Sequence, residues 1–185
     1  LTRLIAEGLL ASSIDPVDGD VVVVAQKIVS KAEDRYVFLR DVEPSLRAKQ
    51  MASVVGKDAR LVEVILSESV DVLRIHPGVL ITEHRLGFVM ANAGVDQSNI
   101  DAPDADERAL RLPTDPDRSS ALLKEGLDAF FGVNLGVVIN DSFGRAWRQG
   151  VVGVALGVAG LPALVDRVGH RDLFGRSLQI TQIAV

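Results

Sequence analysis

The sequence predicts an α+β fold, with mixed or antiparallel sheets and flanking helices. Three observations support it: segments with apolar residues at helical spacing, two continuous apolar runs typical of buried strands, and three short β-rich runs in succession. These elements do not alternate regularly, as they would in a chain of βαβ units. Since 185 residues suit one ordinary domain with a core, residues 1–185 are interpreted as one unit, or as two small lobes that share it.

The N-terminal half contains three predicted helices and one predicted strand. The helices are residues 1–12, with apolar side chains at helical spacing, residues 43–55, with Pro near the start and Gly just past the end, and residues 58–69. Residues 19–28 contain four consecutive valines, so we predict a strand that is buried on both faces. The residues after that strand are expected to be held on a rigid support.

The second half predicts an antiparallel meander, an acidic loop, one helix and two more strands. In chain order these are the meander runs 71–76, 78–84 and 86–94, the loop 100–117, the helix 118–132, and the strands 135–141 and 151–160. The last residues, SLQITQIAV, form an apolar run without a turn signal. We therefore expect the chain to be a fragment that is incomplete at both ends.

Composition narrows the range of functions. With 48% hydrophobic residues, the chain has no uninterrupted apolar stretch of the roughly 18 residues that span a bilayer. A net charge of −5 disfavours non-specific binding of nucleic acid. The absence of cysteine excludes disulfides, thiolate metal sites and cysteine nucleophiles, and fits a reducing cytoplasm. We expect a cytoplasmic protein that binds neither membranes nor nucleic acids.

Two lysines follow the valine run, in the stretch AQKIVSKAEDR. Lys27 and Lys31 stand four residues apart, with Ser30 between them. Cations and hydroxyls beyond a strand end can bind a polyphosphate. The same pattern also fits a solvated basic turn.

Oxygen ligands crowd the stretch MANAGVDQSNI. Asn92, Asp96, Ser98 and Asn99 offer the oxygens that a hard cation such as Mg²⁺ or Mn²⁺ prefers. An Asx-rich turn, whose side chains satisfy their own backbone, is the alternative.

A third polar stretch, DSFGRAWR, follows the apolar run LGVVIN. Asp141 and Ser142 could hold a divalent ion at a strand end, and Arg145 and Arg148 could neutralise a transferring phosphoryl group. The alternative is a capping Asp with arginines stacked on Trp147. Neither a GxxxxGK[ST] loop nor a GxGxxG fingerprint is present, so no common phosphate cradle explains these residues.

The three histidines are interpreted as turn or surface residues. His76 precedes a Pro-Gly pair, His84 ends a predicted strand, and His170 lies in a polar stretch. No HExxH spacing occurs, so a zinc hydrolase has no support.

Three stretches that together span almost the whole chain resemble the coenzyme F420-0:L-glutamate ligase family: GDVVVVAQKIVSKAEDR, ILSESVDVLRIHPGVLITEHRLGFVMANAGVDQSN and VVINDSFGRAWRQGVVGVALGVAGLPALVDRVGHRDLFGR. The resemblance implies a two-lobed α+β homodimer that uses GTP to add L-glutamate in γ-linkage to the deazaflavin precursor F420-0. It also implies an acyl-phosphate intermediate and a requirement for Mg²⁺ or Mn²⁺, often with K⁺. Family members carry further segments before the first helix and after the last strand.

Roles carried over from the family fall on matching positions. The implied metal ligands are Asp96, Asp141 and Ser142. The implied contacts to the guanine nucleotide are Gln26, Lys27, Lys31 and Asn99. A catalytic role for Arg145 and Arg148 is a physical inference from their charge, separate from the resemblance. Two alternatives remain: a related ligase with a different acceptor, and a non-catalytic module that binds a nucleotide or a deazaflavin.

Overall fold

A computed structural model describes residues 1–100, 107–144 and 149–184. In these residues five α-helices accompany ten strands, in agreement with the predicted α+β class. The helices are α1 Thr2–Ala11, α2 Gln26–Ala32, α3 Leu46–Val55, α4 Ala59–Ser67 and α5 Pro116–Phe131. The strands are β1 Val21–Ala25, β2 Tyr36–Phe38, β3 Ser69–His76, β4 Val79–His84, β5 Val89–Ala91, β6 Arg108–Leu110, β7 Gly136–Gly144, β8 Val151–Ala159, β9 Leu164–Asp166 and β10 Gln182–Ala184.

The chain divides into two compact units, and it passes between them several times. Unit 1 comprises Leu1–Ala25, Asp115–Asp141 and Gly153–Val185. Unit 2 comprises Gln26–Thr114 and Ser142–Val152. Each unit is therefore assembled from segments that are distant in the sequence.

Unit 1 is built on a sheet of order β1-β7-β8, in which β1 runs parallel to β7. Residues 136–139 of β7 are buried, as the apolar run predicted. The prediction that β1 is buried on both faces was wrong, because β1 is an edge strand and alternate side chains point to opposite faces. Val24 is buried, whereas Val21 and Val23 are exposed.

Unit 2 contains the predicted meander as an antiparallel sheet of order β3-β4-β5, and a second antiparallel pair, β2-β6. Helices α3 and α4 pack together, and their apolar faces supply much of a buried cluster. Ser45 caps α3 by accepting a hydrogen bond from the N–H of Ala48, so the helix starts at Leu46 rather than at Glu43. Gly56 lies just past the helix end, as predicted, and adopts the left-handed conformation.

Three segments differ from their predictions. The first strand ends at Ala25, and the residues predicted as its continuation form α2. The predicted acidic loop contains β6, because residues 108–110 pair with β2 some 70 positions earlier. Strand β7 was predicted to end at Asp141 but continues to Gly144, although its parallel pairing with β1 ends at Asn140.

None of the helices in the part of the chain that the structure describes is long and apolar enough to cross a membrane.

Candidate functional site

The site begins at α2, which follows β1 without a break. Gln26 and Ser30 lie one turn apart on its buried face, and the hydroxyl of Ser30 donates to Oε1 of Gln26 over 2.9 Å. This hydrogen bond satisfies two polar groups that would otherwise be costly to bury. Because Gln26 and Ser30 face the interior, the lysines next to them in the sequence, Lys27 and Lys31, lie on another side of the short helix.

Lys27 and Lys31 both reach the segment after β5. Nζ of Lys27 lies 2.6 Å from Oδ2 of Asp96 and 2.9 Å from Oγ of Ser98. Nζ of Lys31 donates to the backbone carbonyl of Asn99 over 2.7 Å. The structure therefore brings together residues that lie about 70 positions apart in the sequence.

A left-handed turn positions Asp96. Asn92, Ala93 and Gly94 have consecutive φ values of 53°, 50° and 65°, which is a costly conformation for the two residues that are not glycine. Packing holds the turn in place: Ala93 is fully buried, and the side-chain oxygen of Asn92 accepts from the N–H of Leu80. Just beyond the turn, the backbone of Asp96 pairs with Leu110 in both directions.

The carboxylate of Asp96 is held in its ionised form. Partial burial acts to raise the pKa of this carboxyl group, but hydrogen bonds from Lys27 and from the backbone and hydroxyl of Ser98 outweigh burial and lower it. Asp96 is thus a fixed negative charge that faces a cation, at the centre of the cluster.

A cavity of about 210 Å³ opens beside Asp96. Its lining comes from α4, from the residue before the α4 cap and from the segment that follows β5: Lys57, Leu61, Ile65, Asn92, Val95, Asp96 and Gln97. Sequence reasoning identified neither Lys57 nor Gln97 as a site residue. Only Asp96 and Asn92 carried a sequence signal, because they stand among other oxygen ligands.

A second charged cluster surrounds Glu68, which is 4% exposed. Its carboxylate lies 3.0–3.2 Å from guanidinium nitrogens of Arg35, Arg85 and Arg111. Nε2 of His84 lies 3.4 Å from Oε2 of Glu68. Since Arg35, the neighbours His84 and Arg85, and Arg111 come from three different parts of unit 2, Glu68 joins segments of that unit.

The surface position predicted for His84 was wrong, because its side chain is fully buried. The N–H of Leu86 donates to Nδ1 of His84, and Nε2 faces Oε2 of Glu68.

The remaining predicted ligands lie on β7. Asp141 follows Asn140, which is paired with Ala25 at the end of the parallel register, and Ser142 comes next on the strand. Arg145 and Arg148, predicted to be catalytic, lie outside the described residues. Within residues 1–100, 107–144 and 149–184, no group of three or more His, Asp or Glu side chains is arranged to hold a metal ion.

The fold and the contacts of Lys27 and Lys31 define only a broad class: an α+β protein with a candidate site for an anion. Comparison with known proteins is more specific: the family model for F420-0:Gamma-glutamyl ligase matches residues 1–185. The chain therefore belongs to the F420-0:gamma-glutamyl ligase family, which confirms the resemblance seen in its motifs.

Two relatives show how far the similarity extends. The coenzyme F420:L-glutamate ligase of Methanopyrus kandleri is 49% identical over 177 residues, which cover 96% of this chain and 69% of that protein. The protein of the same name from Methanothermobacter thermautotrophicus is 46% identical over 185 residues, which cover 100% of this chain and 72% of that protein.

Proposed function

We propose that this protein is a GTP-dependent ligase that adds L-glutamate in γ-linkage to coenzyme F420-0. The observation that carries the proposal is the contact of Lys27 and Lys31 with the segment Asp96–Asn99 in a chain of this family. The names of the two relatives supply the reaction and its substrates. The dependence on GTP comes from the family resemblance, and the cationic face of α2 is chemically suited to it.

The two lysines suit a triphosphate. An ammonium group is a compact point charge that binds phosphate oxygens, and two of them one helical turn apart match successive phosphates. Asn99 is exposed and adds an amide donor and acceptor for the base or ribose, whereas Gln26 is buried and would support the helix that carries the lysines. A protein with a net charge of −5 can thus bind a polyanion through a local cluster.

The chemistry of Asp96 fits a divalent cation. An ionised carboxylate has about four acceptor positions. On Asp96, three of these positions accept hydrogen bonds: one from Nζ of Lys27, one from the backbone N–H of Ser98 and one from the side-chain hydroxyl of Ser98. One position remains, and Mg²⁺ is commonly held by one or two carboxylates together with substrate phosphates. Asp141 and Ser142 are proposed as metal ligands in their own right, and a bound ion would offset the charge of the triphosphate.

The proposed reaction has two steps. A carboxylate oxygen of F420-0 attacks the γ-phosphorus of GTP, so that an acyl phosphate forms and GDP leaves. The amine of L-glutamate then attacks the acyl carbon, phosphate leaves, and the nitrogen loses a proton. We assign Arg145 and Arg148 to the charge that develops on the transferring phosphoryl group.

The test is a coupled measurement on the full-length protein with GTP, F420-0, L-glutamate and Mn²⁺, in which each component is omitted in turn. We expect phosphate release that needs all four components, and a gain of one or more glutamyl units in the mass of the deazaflavin. Release that is independent of glutamate, or an unchanged mass of F420-0 under conditions where the protein is folded, would refute the proposal. Replacing GTP with ATP tests the choice of nucleotide.

A further inference from the structure

The cavity of about 210 Å³ beside Asp96 is lined by other residues than Lys27 and Lys31, and Asp96 is the residue that it shares with the lysine cluster. All of its lining residues belong to unit 2. Its volume lies below the range of 300–1,000 Å³ that is usual for drug-sized ligands, so it suits a smaller molecule.

The polar lining offers hydrogen-bond donors that are not in use. Within residues 1–100, 107–144 and 149–184, the ammonium of half-buried Lys57 forms no ion pair and no hydrogen bond. The amide oxygen of Asn92 is engaged by Leu80, whereas its NH₂ group has no partner among the same residues. The side-chain amide of Gln97 is likewise unengaged by the described part of the chain. One cation and two amide NH₂ groups are complementary to a carboxylate.

The rest of the lining restricts the ligand further. Leu61, Ile65 and Val95 also line the cavity but are themselves buried, so most of its accessible surface is polar. Asp96 adds a carboxylate at one end of the cavity, 2.6 Å from Nζ of Lys27. A small molecule with a carboxylate at one end and an amino group at the other matches these polar features.

We propose that this cavity binds the incoming L-glutamate. Lys57, Asn92 and Gln97 receive its side-chain carboxylate, and the amino group lies at the Asp96 end of the cavity, beside the proposed metal position. Because Asp96 also contacts Lys27, this placement brings the attacking amine to the edge of the phosphate site. The inference rests on the proposed ligase function and names the amino-acid subsite of that function.

Lys57→Met tests the assignment, since it removes the charge and keeps the length of the side chain. In the full-length protein we expect the KM for L-glutamate to rise about tenfold or more, because a charge-assisted contact is lost. The KM values for GTP and F420-0 should stay within about twofold of wild type. Lys57→Arg should recover part of the loss. Lys49→Met is the matched control, because Lys49 is an exposed lysine on the neighbouring helix α3.

Discrimination against L-glutamine is a second readout that a merely structural role would not change. L-Glutamine has the same shape as L-glutamate but lacks the side-chain charge, so wild-type protein should strongly prefer glutamate. In Lys57→Met this preference should shrink together with the affinity. Gln97→Ala should cause a smaller loss of the same kind, which keeps the test valid if Lys57→Met folds poorly.

Direct binding separates failure of the subsite from failure of the proposed function. Titration calorimetry with L-glutamate alone, and with L-glutamate in the presence of GTP and Mn²⁺, requires no turnover. Binding that is weakened by Lys57→Met supports the subsite even if F420-0 is not the acceptor. An unchanged affinity and KM for glutamate would overturn the inference. A rise confined to the KM for F420-0 would also overturn it, since the carboxylate bound by Lys57 would then belong to the acceptor.

Discussion

At the scale of single residues, Asp96 links the lysine cluster to the proposed metal site. Asp96→Asn keeps a side-chain oxygen that can accept from the N–H of Ser98, but it removes the charge and places an NH₂ group near Lys27. We expect the variant to fold and its affinity for Mn²⁺ in the presence of GTP to fall at least about 100-fold, with a parallel loss of turnover. Electron paramagnetic resonance of Mn²⁺ measures this directly.

Asp15→Asn is the matched control for Asp96→Asn, because Asp15 is exposed and lies in the other unit. It should bind Mn²⁺ like the wild type. A folded Asp96→Asn protein with normal Mn²⁺ binding would remove the metal role of Asp96.

The local sequence pattern predicted several residues of the candidate site, but not which of them contact one another. Lys27 and Lys31 were visible as a pair, and Asp96 as one of several oxygen ligands. That Lys27 contacts Asp96 depends on tertiary packing across 69 positions, which local spacing does not encode. His84 was misplaced for the same reason, since its side chain is buried by tertiary packing and faces Glu68 in another segment. The family resemblance implies a nucleotide contact for Lys27 and a metal-binding role for Asp96, and therefore places both residues in one candidate site.

At the scale of elements, helix α5 lies close to strand β8 in unit 1. A Cβ atom on Gly157 would overlap with the backbone C and O atoms of Pro116, at the first turn of α5. The N–H of Val158 donates to Asp117 in the same turn. We expect Gly157→Ala to lower the free energy of unfolding by about 2 kcal/mol or more, because backbone must move to admit the methyl group. Urea unfolding followed by circular dichroism provides the measurement.

Gly8→Ala, also in unit 1, should have the opposite effect. Gly8 lies inside α1, and a Cβ atom there would meet nothing within 4 Å. Alanine should therefore stabilise the protein by up to about 1 kcal/mol, through its higher helix propensity. Equal unfolding midpoints for the two variants would show that α5 and β8 are less tightly packed than the approach of Gly157 to Pro116 indicates.

Capping chemistry explains why helices were easier to predict than strands. Ser45 and Gly56 bracket α3, and Asp115 with Pro116 starts α5, so local sequence marks these ends. Strand β6 has no such local mark, because its three residues become a strand only by pairing with β2. The valine run of β1 predicted a strand correctly. Its exposure, however, follows from the position of β1 at the edge of the sheet β1-β7-β8, which the local sequence does not reveal.

At the scale of the whole molecule, 25 acidic residues outnumber 20 basic ones, so acid titration changes the net charge strongly. Most carboxylates lie at the surface, where pairing contributes little to stability. Glu68 differs, because it is buried among three arginines and a histidine. Its ionisation is therefore expected to dominate the dependence of stability on pH in the acidic range.

The pKa of Glu68 determines where that dependence falls. Burial acts to raise its pKa, but hydrogen bonds from His84 and Arg85 and the charges of Arg35 and Arg85 lower it from 4.5 to about 2. Because the pKa is lower in the folded state, the stabilisation is complete above pH 4.5 and is lost as the pH falls toward 2. The size of the shift corresponds to roughly 3 kcal/mol.

Glu68→Gln is the variant that isolates this contribution. Glutamine keeps the shape of the side chain and leaves three buried or half-buried arginines without their carboxylate, so we expect a loss of about 3–5 kcal/mol at pH 7. The difference in free energy of unfolding from wild type should be constant between pH 7 and about 5, and should shrink as the pH falls further. Glu43→Gln, at an exposed position, should match wild type throughout. If the difference between wild type and Glu68→Gln were the same at pH 3 as at pH 7, the ionised carboxylate would not be what joins these segments of unit 2.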